Sequence, residues 1–168
     1  MKKILSILAL SALLFSACEG DPGIPGPQGP QGNDGGLIVS SAFEIVVDFN
    51  QSNDFQFIEP YGFQVFPSDV TLVYLLWDTI NGQDVWRLLP QTVQFEDGSL
   101  IYNFDFTQQD VAFFLEGTTD LTTLEDVWTQ NQVFRVVVVP ADNIDGVDIS
   151  NIENVLSLEN INSLELRD

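Results

Sequence analysis

The side chains in this sequence that could do chemistry are few in kind. Among 168 residues there is one cysteine, Cys18, and no histidine. That removes Ser-His-Asp and Cys-His triads, zinc sites of the Cys/His type and any disulfide within the chain. Carboxylates, three arginines beyond residue 17 and the indoles of Trp77, Trp86 and Trp128 remain. The densest group of oxygen ligands is Asp142, Asn143, Asp145 and Asp148 around Gly146, as calcium loops require. As an EF-hand it fails. With Gly146 at loop position six, Ala141 and Ile152 occupy the first and last positions, where carboxylates must stand. The metal expectation is therefore an irregular Ca²⁺ site on Asp142, Asp145 and Asp148, set against an ordinary polar connection. The acidic stretch from Asp120 to Asp126 is looser still.

Arg87 and Arg135 each follow an aromatic residue, Trp86 and Phe134. Either arginine could orient an anionic ligand through bidentate contact, or pair with a carboxylate on its own sheet. The three tryptophans would serve as sugar-stacking platforms if exposed, and as core if not. Carboxylate pairs suited to glycoside hydrolysis arise by chance among 25 acids. A small strand-rich domain with no lid insertion or metal motif is not built as a hydrolase, so a non-enzymatic role is expected.

The placement of Cys18 gives the thiol its meaning. Lys2 and Lys3 form a basic start, residues 4–15 are apolar, and Ser16 and Ala17 are the small residues a signal peptidase needs. The apolar run is too short for the roughly 20 residues of a spanning helix, so residues 1–17 read as a signal peptide. Leu14-Phe15-Ser16-Ala17-Cys18 resembles the lipobox of bacterial lipoproteins, with Phe15 where that motif usually carries Leu, Val or Ile. The resemblance implies a diacylglycerol on the Cys18 sulfur and cleavage before it. Burial of acyl chains at about 0.8 kcal/mol per CH₂ would make such anchorage permanent. Glu19 and Asp21 resemble the acidic flank that some diderm bacteria use to send lipoproteins to the outer face of the outer membrane. The expected location is thus the cell envelope, at the outer membrane.

Gly20, Gly23, Gly26, Gly29, Gly32 and Gly35 follow with a period of three. This is a collagen-like register, and glycine is obligatory at every third place only where three polyproline II chains share an axis. A homotrimer through this repeat is one expectation. A monomeric, semi-rigid spacer is the other, because five triplets are few. In either case, fifteen residues at 3.1 Å each reach roughly 45 Å, well beyond the Debye length of about 8 Å at physiological salt.

Residues 37–168 are one domain's worth of chain. All 25 acids but only three of the five cations lie beyond residue 17, so the mature chain carries a formal −22 (three minus 25). Nucleic acid and anionic lipid are therefore poor partners, and no nucleic acid is expected, since both require a basic stripe. Alternation dominates the domain: Phe43, Ile45, Val47 and Phe49, then Leu100, Tyr102, Phe104 and Phe106, each set with polar residues between, as in half-buried strands. Residues 70–77 and 133–139 are apolar at nearly every position and should be central strands, covered on both faces. Asn81-Gly82 and Asp97-Gly98 are hairpin turn signals. Shorter strands are expected at residues 55–58, 63–66 and 111–115. Ser150 and Glu153 form a capping box for a helix over 151–158, which could close one end of the domain. About eight or nine strands predict an all-β antiparallel sandwich of Ig-like or jelly-roll kind with a short C-terminal helix.

Residues 84–92, 102–107 and 131–142, behind the lipobox and glycine triplets, resemble a group of uncharacterised bacterial lipoproteins with collagen-like N-termini. The likeness implies the same architecture and carries no activity or site residues. The functional expectation is a surface lipoprotein presenting a sandwich for adhesion, ligand binding or envelope assembly, toward a glycan or protein ligand. The alternative is a carbohydrate-binding or glycan-hydrolysing accessory.

Overall fold

The computed structural model describes residues 41–158 and 164–167. The expected signal peptide, Cys18 and the glycine triplets lie outside the described residues. Nine strands, all among the described residues, build two sheets. β1 (Ser41–Val47), β3 (Asp69–Ile80), β4 (Gln83–Leu88), β8 (Gln132–Pro140) and β9 (Glu165–Arg167) form one, in the order β4-β3-β8-β1-β9. β2 (Gln56–Pro60), β5 (Gln91–Gln94), β6 (Ser99–Phe106) and β7 (Asp110–Gly117) form the other, in the order β2-β7-β6-β5. Two helical segments matter: α1 (Asp126–Thr129) and α2 (Ile152–Leu158). No helix among the described residues is long and apolar enough to cross a membrane.

The fold is an all-β sandwich. Period-two side chains explain its inner layer: Phe43, Ile45 and Val47 of β1 face inward beside Phe134 and Val136 of β8, across the register Phe43↔Val136 and Ile45↔Phe134. Opposite them stand Leu100 and Tyr102 of β6 and Val111, Phe113 and Leu115 of β7. Phe113 and Phe134 join the two sheets, with ring centroids 4.7 Å apart. β1 pairs with β8 in one sheet and β2 with β7 in the other, while β3–β4, β5–β6 and β6–β7 are antiparallel neighbours along the chain.

The two nearly continuous apolar runs lie where both faces are covered. β8 is the middle strand and β3 its neighbour. Their outward residues Leu72, Tyr74, Val137 and Val139 form a second core with Ile152 and Val155 of α2. The helix therefore packs on the outer face of the five-stranded sheet instead of closing one end. Its cap also differs from expectation. Asn151 Oδ1 accepts the Glu153 N–H at 3.0 Å, while the Ser150 hydroxyl donates to Asp148 at 2.6 Å. Tyr74 reaches through the second core to donate its hydroxyl to the Ile149 carbonyl at 2.6 Å, which ties the segment before α2 to the sheet.

Residues 63–66 form a loop, not a strand. Gly62 at φ +73 turns the chain out of the ladder, and Asp69 closes a turn by accepting the Phe66 N–H at 2.8 Å. Phe63 packs on Tyr61 with centroids 5.4 Å apart, so the loop's aromatic plugs the core without joining the sheet. Asn81-Gly82 makes the expected tight turn, with φ of 54° and 79°. Asp97-Gly98 lies in a longer connection, closed by Phe95 N–H donating to the Gly98 carbonyl at 2.8 Å. β9 pairs in parallel with β1, and Arg167 holds the edge. Its guanidinium lies 3.9 Å from the Phe43 ring centre and donates to Glu59 (3.0 Å), to Pro60 O (3.1 Å) and to Tyr61 O (3.0 Å).

Candidate functional site

The β3–β4 hairpin determines where two of the three tryptophans go. Counting back from the turn, Ile80 pairs with Gln83, Thr79 with Asp84 and Asp78 with Val85. A regular ladder would next oppose Trp77 to Trp86, placing both indoles on one face. Instead Leu76 pairs with Trp86 and Leu75 with Arg87, so Trp77 is the extra residue of a β-bulge. Trp86 consequently packs on the outer core and Trp77 against the inner one.

Trp77 is half-buried at the end of the sandwich, where it meets Trp128 of α1 across a groove of about 260 Å³. Leu75, Tyr102, Val127 and Asn131 also line the groove. Its wall is firmly held. Trp128 meets Phe95 edge-on at 5.4 Å, and its carbonyl accepts the Tyr102 hydroxyl at 2.7 Å. Thr129 O accepts Phe49 N–H at 2.7 Å, and Asp48 accepts the N–H of Asn131, a residue at φ +54, at 2.7 Å. Gln132 turns its amide inward to Val127 O and Gln130 O, at 3.0 and 2.8 Å. Val127, by contrast, is 65% exposed at the mouth. A rigid, partly open cleft with two indoles and an exposed amide is suited to stacking a flat or ring-shaped ligand. Its volume is slightly below the usual range for small-molecule pockets and suits one ring at a time.

The described arginines follow a common pattern. Arg135 lies 4.0 Å over Trp86 and donates from Nε to Glu44 at 2.9 Å; Arg167 lies over Phe43 and pairs with Glu59. Arg87 lies 3.9 Å over Trp77, beside the groove, and among the described residues no carboxylate lies within ion-pair distance of it. Of the two strand arginines, Arg135 pairs with a carboxylate on its own sheet, and among the described residues Arg87 does not. No family model, curated protein or solved structure matches this chain.

The candidate metal ligands are placed differently. Asp142 and Asp145 border a shallow depression beside Gly146, while Asp148 accepts the Ser150 N–H and hydroxyl at 3.1 and 2.6 Å. Among the described residues, no three His, Cys, Asp or Glu side chains are gathered to hold a metal ion. Asp142, Asp145 and Asp148 stand in a hydrogen-bonded polar connection before α2. In the second acidic stretch, hydrogen bonds from the Thr122 hydroxyl and then its N–H hold the Asp120 carboxyl below its ordinary range. Sequence reasoning missed the groove because neither the bulge nor the meeting of Trp77 with Trp128 is local. The Asn81-Gly82 turn alone sets a register that would put Arg87 opposite Leu76, on the other face from Trp77; the bulge, which has no local signal, brings Arg87 over Trp77.

Proposed function

We propose that this chain is a non-enzymatic, lipid-anchored envelope lipoprotein whose sandwich binds a ligand in the groove between Trp77 and Trp128. The observation that carries this reading is that Trp77 and Trp128 line one partly open groove, with Arg87 over the Trp77 ring beside it. The two indoles at one cleft favour a carbohydrate as the ligand. The lipobox, the acidic flank and the 45 Å spacer estimated above support display at the outer membrane, with the domain clear of the lipid surface.

The test is titration of the protein with a panel of oligosaccharides, followed by calorimetry and tryptophan fluorescence, beside the Val127→Glu variant. Val127 is exposed, so Glu there obstructs the groove at little cost to the fold. Binding that the variant abolishes supports the reading; binding that it leaves intact refutes the groove as the site. Sedimentation equilibrium with and without residues 20–35 assigns the glycine repeat. Trimers that need the repeat would present three grooves together and gain avidity, whereas monomers make it a spacer.

A further inference from the structure

We infer that the groove takes a sugar bearing a carboxylate, a hexuronate residue of an acidic polysaccharide, with Arg87 as the partner of that carboxylate. The inference rests on the groove being the ligand site. Three guanidiniums in the described domain lie over aromatic rings, with Cζ 3.9 to 4.0 Å from the ring centre. Two are completed by a carboxylate from the protein, Glu44 for Arg135 and Glu59 for Arg167. The third, Arg87 on Trp77, has the ring, and among the described residues no carboxylate completes it.

This gap exists in a chain with 25 acids, and the nearest ones along the hairpin are otherwise engaged. Asp78 accepts the Thr79 N–H at 2.8 Å, and Asp84 accepts the Thr79 hydroxyl at 2.9 Å. A guanidinium stacked on an indole keeps its in-plane N–H groups free, already oriented for a bidentate carboxylate. The ring that Arg87 covers belongs to the groove, so a ligand held by Arg87 extends toward Trp128, where the apolar face of a pyranose can stack. Asn131 offers an exposed amide for a ring hydroxyl.

Charge selects among anions. A carboxylate brings one negative charge, whereas a phosphate monoester brings up to two into a strongly acidic domain. The surrounding field repels an acidic polysaccharide at a distance, while the contact at Arg87 is short. Raising salt from about 20 to about 150 mM therefore strengthens uronate binding, because screening removes the long-range repulsion first.

The decisive experiment is calorimetric titration of the full mature protein in detergent with trigalacturonate and with galactotriose. It is repeated at both salt concentrations and for Arg87→Gln, Arg87→Lys and Val127→Glu. Trigalacturonate should bind about 10-fold tighter or more, by the strength of a charge-assisted pair. Arg87→Gln should erase that preference, so that the two sugars bind alike, and Arg87→Lys should restore part of it. Equal affinities in the parent protein, a preference that survives Arg87→Gln, or tighter binding of a short peptide carboxylate would overturn the inference. If galactotriose binds and Val127→Glu blocks it, such a result leaves the groove as the ligand site. If neither sugar binds, both the inference and a carbohydrate ligand for the groove fail.

Discussion

Gly117 ends β7 opposite Leu100, at φ +146, and replacing it by alanine should be among the most damaging single-methyl changes in the domain. An added Cβ would stand 1.9 Å from the Ser99 carbonyl oxygen and 2.9 Å from its carbon. Neither is a flexible side-chain tip that can swing away. The Ser99 oxygen already accepts the N–H groups of Thr118 and Thr119, at 2.9 and 3.3 Å, so retreat strains two hydrogen bonds. Backbone strain costs about 1–3 kcal/mol, and displacement of packed atoms costs about 1–3 kcal/mol more. A loss of about 4 kcal/mol is expected, a large share of a typical domain's total of about 5–15 kcal/mol. Gly82→Ala is the control, since Gly82 also has positive φ (+79) but nothing lies within 4 Å of its added Cβ. It should cost about 1–2 kcal/mol, the left-handed penalty alone. Urea unfolding of the parent and both variants, followed by fluorescence, measures the difference. If Gly117→Ala loses no more than Gly82→Ala, the close approach of β7 to Ser99 is wrong.

Burial pushes the phenols of Tyr61, Tyr74 and Tyr102 above their ordinary value of about 10, with the Asp148 charge adding to the shift at Tyr74. The folded state thus holds these protons more tightly than the unfolded chain. Their contribution is complete below about pH 10 and is lost as pH rises toward the folded values. Stability measured from pH 8 to 12 should fall above pH 10, and less steeply in Tyr102→Phe; identical slopes would contradict this. Tyr74→Phe should cost about 1 kcal/mol through the hydrogen bond to Ile149 O, read as a lower urea midpoint. Arg167→Ala removes the bridge from Phe43 to Glu59, Pro60 and Tyr61 and should cost about 2 kcal/mol, whereas Leu166→Ser, 60% exposed, should cost under about 0.5 kcal/mol. Equal effects of these two would deny Arg167 its bridging role.

Much of the sandwich is legible in the sequence because its signals are local. The alternation at 43–49 becomes β1 followed by buried Phe49, and the valine run of β8 becomes the strand covered on both faces. The aromatic stretch 63–66 misleads, because strand propensity reports fit to a half-buried surface and a loop folded against the core offers one too. β9 carries almost no signal. Three residues, with Leu166 exposed, gain their strand geometry only from β1, more than a hundred positions away in sequence. The groove shows the same limit. Trp77, Arg87 and Trp128 are visible as residue types, but their meeting depends on one extra residue in β3 and on a short helix between β7 and β8. Periodicity does not register an insertion of that kind.

The pairing of β8 with both β1 and β3 also dictates an order of events during synthesis. A chain emerging N-terminus first makes β1 and β3 long before the strand that must lie between them. Until residue 140 is available, each offers an apolar edge with no native neighbour, while β5, β6 and β7 can already zip together in sequence. The four-stranded sheet can therefore form early and wait, and the five-stranded sheet assembles late around its last long strand. A nascent chain of this kind holds one sheet ready and completes its core only when residues 132–140 arrive.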